Sequence, residues 1–171
     1  DEIELNISNK RLFFRTGDGK ETFSLPLSYY QYPDYNSFLS KLSEDGVTTV
    51  EVDRLEIADS LDRLLIFNSD TNKCAYFDLS GSNMVLSTQG QDVGSATETL
   101  EVVYSGELNR IAFPTRNLIE ILGHYQSEHL TMTMTGAEGP CGLMGKDDQD
   151  YTVIIMPMKI EDETYYSEEN V

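Results

Sequence analysis

The side chains able to do covalent or acid–base chemistry are few and scattered. His124 and His129 are the only imidazoles in 171 residues, and neither accompanies a Ser or Cys nucleophile signature. His124 follows Gly123, a helix-terminating position where a histidine commonly caps carbonyls. Cys74 and Cys141 stand apart, without metal-ligand spacing, and read as two reduced, partly buried thiols of a cytosolic protein. Gly136 to Gly145 is glycine-rich but lacks the Gly-Lys-Ser/Thr ending of a phosphate loop. Asp147, Asp148 and Asp150 lack the spacing and the distal Glu of a calcium loop, and an exposed hairpin turn accounts for them. No cleft with perturbed acids is nominated, so neither an enzyme nor a cofactor or metal is expected. The chemistry that remains is binding. Met156-Pro157-Met158 offers an adaptable apolar surface. At a strand end the same triplet is more often core and a strand stop, and these residues alone leave both readings open.

The elements that must position these residues belong to a chain of one ordinary domain, or one domain and a piece of another. With 39% hydrophobic residues there is enough apolar material for a packed core. The balance of 30 Asp+Glu against 12 Lys+Arg gives a net charge of −18, which argues against tight nucleic-acid binding through phosphates. The N-terminus has neither a basic region nor a long apolar run, so no signal peptide is expected. The longest apolar stretch, Val153 to Met158, is far too short to cross a bilayer, and a cytoplasmic protein is expected. The chain starts without Met in what already reads as a strand, and is expected to be cut from something longer.

Ile3, Leu5 and Ile7 alternate with polar residues as a half-buried strand; Ser8-Asn9-Lys10 turns into Leu12-Phe13-Phe14, and Thr22 to Leu27 is the next strand. Residues 28–47, with many tyrosines and a proline, read as an ordered connection without a clean period. Residues 53–67 are the best helix, with Asp53 as N-cap, Glu56 completing a capping box, and a stripe of Ile57, Ala58, Leu61, Leu64 and Leu65. Strands are predicted over 75–79, 84–88 and 98–104, with Ser80 to Asn83 as a hairpin turn and Gln89 to Ala96 as a polar loop. A short strand over 110–113 runs into a second helix over 115–122, capped by Thr115 and ended by Gly123 at a C′ position. Strands follow over 129–135, around 142–145, and over 151–160. The tail, 161–171, holds five acidic residues and no basic one and reads as a solvated end. The fold class is α+β: a β-α-β-β-β unit used twice over 48–160, two helices against antiparallel sheets, the duplication visible in element order and not in residue identity.

Val153-Ile154-Ile155-Met156-Pro157-Met158-Lys159-Ile160 resembles the closing strand of the bacterial sliding clamp, the beta subunit of DNA polymerase III. Three further segments resemble that family in the same order. They are Tyr32-Pro33-Asp34-Tyr35, Val103-Tyr104-Ser105-Gly106-Glu107, and Ile111-Ala112-Phe113 followed by Leu118-Ile119-Glu120-Ile121-Leu122. The resemblance covers about residues 1–160. It implies the clamp fold, with 1–47 as the end of a middle domain plus connector and 48–160 as a complete third domain. It also implies a function: a homodimeric ring, helices inside and sheets outside, that encircles double-stranded DNA and tethers the replicative polymerase.

The family's pocket takes a short linear peptide, roughly Gln-Leu-x-Leu-Phe, from polymerases, the clamp loader and repair proteins. By the resemblance its third-domain side falls on Pro33, Ser37, Phe38, Asn72, Pro114, Asn117, Pro140, Met156, Pro157, Met158 and Lys159. The family commonly has Arg where Ser37 stands, Asn where Pro114 stands and Tyr where Asn117 stands, so the peptide preference is expected to differ. Ile66 and Phe67 match the dimer interface of the ring, although both also fit the core end of a helix; a fragment of this extent is expected to be monomeric. Arg54, Arg63, Arg110 and Arg116 are the candidates for facing DNA phosphates, with Asp59 and Asp62 beside them. A ring holds DNA by topology, which makes the acidic charge compatible with it. Two other readings stand beside this one: an acidic β-rich interaction module, and a clamp paralogue without a replication role.

Overall fold

A computed structural model describes residues 2–68, 73–90 and 94–160, so the acidic tail over 161–171 lies outside the described residues. The chain divides into two units, Asp1–Asp34 and Tyr35–Val171, a boundary ahead of the break at 47/48 read from the sequence.

In the first unit, β1 (Ile3–Ser8), β2 (Arg11–Thr16) and β3 (Thr22–Pro26) form an antiparallel meander. Asn9 and Lys10 take φ of 52° and 58°, the left-handed pair of a two-residue hairpin that matches strand twist. Register places Leu5 opposite Phe14 and Phe14 opposite Phe23, whose rings stack at 5.0 Å. The half-buried strand expected at Ile3, Leu5 and Ile7 is corrected: all three are at least 64% exposed, because three strands alone bury little on that face.

The second unit opens with α1 (Tyr35–Lys41), a helix inside the stretch read as a period-free connection. Leu42, just beyond it, is buried against Gly142, where any Cβ would collide with the leucine side chain. That contact is why the unit begins before Thr48.

Next come β4 (Thr48–Asp53), α2 (Arg54–Leu65), β5 (Cys74–Ser80), β6 (Asn83–Gly90) and β7 (Gly94–Glu101). A short β8 (Val103–Ser105) precedes β9 (Arg110–Pro114), α3 (Thr115–Leu122), β10 (His129–Met134), β11 (Cys141–Gly145) and β12 (Thr152–Ile155). The two β-α-β-β-β units are present, and their first strands are exchanged. β4 joins the strands of the second unit in the order β12-β11-β10-β4-β8, while β9 joins those of the first as β7-β6-β5-β9. All pairings are antiparallel. Val50, Val52, Phe77, Leu86, Phe113, Leu130 and Met132 point from both sheets into one core, closed by Ile57, Leu61 and Leu64 of α2 and Leu118 and Leu122 of α3. Each such side chain fully withdrawn from water contributes about 1.5–3 kcal/mol before entropy is counted.

Local chemistry explains most boundaries. Asp53 accepts the Glu56 N–H at 2.8 Å and so starts α2 as predicted. The predicted loop over 89–96 is corrected to a hairpin, since Gly90 and Gly94 are register partners. Polar residues there alternate on the outer face of a strand and imitate a loop. The single strand read over 98–104 breaks at Val102, whose N–H donates to Ser82 O at 2.9 Å, and the chain passes from one sheet to the other. Thr115 does not cap α3: Pro114 is the N-cap without a side-chain bond, and Thr115 is buried. Gly123 has φ −65°, an ordinary right-handed C-cap and not the left-handed C′ expected. The last strand ends at Ile155 rather than Ile160. Pro157 has no N–H to continue a ladder, and the Met158 N–H instead reaches Ala112 O at 2.8 Å.

Gly106 is the one glycine on which a sheet crossing depends. Its φ is +128°, and a Cβ there would lie 2.7 Å from Thr48 Cα and also strike Thr48 Oγ1. The Thr48 hydroxyl accepts the Leu108 N–H at 3.1 Å, and Tyr104 donates to Leu108 O at 3.2 Å. Gly106→Ala combines positive-φ strain with a clash against β4, so urea unfolding should show a loss of about 2–3 kcal/mol.

Candidate partner-binding groove

The register of β5 with β9 pairs Cys74 with Pro114, and the Thr115 N–H donates to Lys73 O at 3.1 Å. The start of β5 is thereby held against the start of α3. α2 ends on the same side, where Asn68 accepts from the buried Thr88 hydroxyl at 3.0 Å. These three chain turns, with the segment that leaves β12, enclose a groove of about 750 Å³. Leu65 and Asn68 come from the end of α2, Lys73 from before β5, and Pro114, Arg116 and Asn117 from the β9–α3 junction. Met158, 42% exposed, closes it. The backbone bond to Ala112 is what carries Met158 there from the edge of the other sheet.

Of the residues nominated for a peptide pocket, the groove brings together Pro114, Asn117 and Met158. Met156 is exposed, Pro157 half-buried and Lys159 exposed on the same departing segment. Met156 to Met158 are placed off the last strand, not on it. Pro140 is buried, and its carbonyl accepts from the Thr135 N–H at 3.3 Å and hydroxyl at 3.0 Å. Pro33 is exposed in the first unit; Ser37 and Phe38 lie on α1, exposed and half-buried. Asn72 is outside the described residues. Leu65, Asn68 and Lys73 escaped the sequence reading. Leu65 sat in the apolar stripe of α2, at the edge where a stripe shades into surface.

The four arginines proposed to face DNA differ in how they are held. Arg54 is half-buried and donates to Ser127 O at 2.8 Å. Arg63 forks onto Glu98 of β7 at 2.8 and 2.9 Å, which raises the arginine's pKa and lowers the glutamate's. Arg110 lies 5.1 Å over the Tyr76 ring and 3.4 Å from Asp78. Arg116 lines the groove. Ile66, at the C-cap of α2, is 74% exposed, and Phe67 is half-buried, so Ile66 is not a core residue.

Asp53, Glu128 and His129 bring one ligand-capable atom each within 4.8 Å of one another. Asp53 is already engaged as the α2 cap. Burial pushes the Cys141 thiol up to about 12 and raises that of Cys74, so neither is a nucleophile at neutral pH. Among the described residues no helix is long and apolar enough to cross a membrane.

Residues 42–159 match the family model for the C-terminal domain of the DNA polymerase III beta subunit. The chain is similar to the beta sliding clamp of Pseudomonas putida, with 23% identity over 85% of this chain and 39% of the relative. It is also similar to that of Chlamydia pneumoniae, with 26% identity over 78% of this chain and 35% of the relative. The crystal structure of the DNA polymerase III beta subunit from Thermotoga maritima shares its fold, with a TM-score of 0.77 and 25% identity over 93% of this chain and 42% of that one. The chain thus spans about two fifths of the length of the relatives it matches.

The turn after β11 is tied to the segment before β10 by one carboxylate. Asp148 accepts the Ser127 hydroxyl at 2.6 Å and the N–H groups of Gln126 and Ser127, and these bonds hold its carboxyl below the ordinary 3.8. A depressed folded-state pKa gives stability that is present above the unfolded value and lost as pH falls through the folded one. Asp148→Asn should therefore be less stable than the parent at pH 7, with the gap closing below about pH 4, as read by urea unfolding at the two pH values.

Proposed function

The chain belongs to the family of C-terminal domains of the DNA polymerase III beta subunit, and from that premise we propose that it is the partner-capturing domain of a sliding clamp. The observation that carries this is the groove between the ends of α2 and β9, where Met158 meets Pro114 and Asn117 although it is distant from both in sequence. An apolar floor of Leu65, Pro114 and Met158 rimmed by amides suits the Leu and Phe of a Gln-Leu-x-Leu-Phe peptide. Met156, Pro157 and Lys159 flank it on the departing segment, and Pro33, Ser37, Phe38, Asn72 and Pro140 complete the proposed contact set.

The work of such a protein is tethering and not catalysis. In the whole molecule, two copies close a cytoplasmic ring around double-stranded DNA, and polymerase, clamp loader and repair proteins dock by their peptides. Ile66, exposed at the end of α2, and Phe67 supply part of the dimer interface. Because Arg54, Arg63 and Arg110 are already engaged by protein groups, their help to DNA is a weak field and not a tight grip, as sliding requires.

Titration with a Gln-Leu-Ser-Leu-Phe peptide should shift backbone NMR signals around Asn117 and Met158, and a scrambled peptide should not. Met158→Ala should weaken binding by about 1–2 kcal/mol, the loss of one apolar anchor. A spectrum unmoved at millimolar peptide would defeat the reading.

A further inference from the structure

We infer that the peptide this groove selects is anionic, carrying carboxylates beside its apolar anchor; the inference rests on the groove being a peptide site. The chain has 12 Lys and Arg against 30 Asp and Glu, yet among the described residues the groove is lined by two cations and no carboxylate. Lys73 and Arg116 are both exposed, and neither is in an ion pair among the described residues. Arg63 and Arg110 are, by contrast, already paired with Glu98 and Asp78.

Their placement is built in. The Thr115 N–H to Lys73 O bond and the Cys74–Pro114 register hold the two cations on adjacent chain turns at one side of the groove. α3 adds the same sign: it begins without a side-chain cap and with no acidic residue in its first turn. An apolar cleft flanked on one side by positive charge recognises a hydrophobic side chain next to a carboxylate. In a strongly acidic protein the surrounding surface repels such a peptide, so the groove is also the place where it can settle.

The test uses the full chain and two labelled peptides of equal length and shape, Glu-Leu-Asp-Leu-Phe and Gln-Leu-Asn-Leu-Phe, compared by fluorescence anisotropy. At low salt the acidic peptide should bind about five- to tenfold more tightly, as two exposed ion pairs allow. The advantage should shrink at 0.5 M salt, where the Debye length is only about 4 Å. Lys73→Gln with Arg116→Gln should abolish the preference, so that the two peptides bind the variant equally. Equal affinity for the two peptides, or a preference that survives the double substitution, overturns the inference and leaves the groove as a peptide site. No binding of either peptide overturns the groove reading itself.

Discussion

Everything in the second unit depends on the exchange of first strands. β4 is hydrogen-bonded along its whole length to β10, and β9 lies against β5, so each half of the duplicated unit completes the other's sheet. Neither half has a closed sheet of its own. Because side chains alternate across a strand, a slip of one residue in either pairing would turn Val50 and Val52, or Ile111 and Phe113, out of the core. The registers are therefore fixed by burial, and the helices that follow β4 and β9 are delivered to neighbouring positions over the same core.

The groove is a by-product of that exchange. A strand that crosses to the other sheet must end in a turn beside a foreign strand's beginning, and here β9 ends beside the beginning of β5. The chain after β12 then bridges the remaining gap by a single backbone bond from Met158 to Ala112. The halves are not equivalent, however. β8 extends only one sheet, and Gly106 lets the chain pass Thr48 to do so. The Ser127–Asp148 turn and the Tyr125 hydroxyl, which donates to Leu143 O at 2.7 Å and accepts the Val153 N–H at 3.2 Å, brace the other half.

What was legible in the sequence was local. The Asp53 cap, the α2 stripe, the Ser80–Asn83 turn and the twice-used element order follow from periodicity and turn chemistry, and the structure contains them. The strand exchange was not legible, because hydrophobic alternation says which face is buried and nothing about which strand lies alongside. Thr115 looked like a cap because its type suits one; the Lys73 carbonyl takes its N–H and draws the residue into the core instead. α1 was hidden by Pro33 and the tyrosines around it, and is anchored by a tertiary contact at Leu42. Pro114, Asn117 and Met158 were reached through family resemblance, whereas Lys73 and Asn68 depend on where α2 and β5 end in space.

Cys74 begins a strand of one sheet and Cys141 begins a strand of the other, and both are buried. With both thiols buried, neither is open to a reagent while its sheet is closed. The molecule thus carries a silent clock in each sheet, started only when that sheet opens. Two alkylation rates that coincide would mean that the interlocked halves breathe as one cooperative unit; two that diverge would name the half that loosens first.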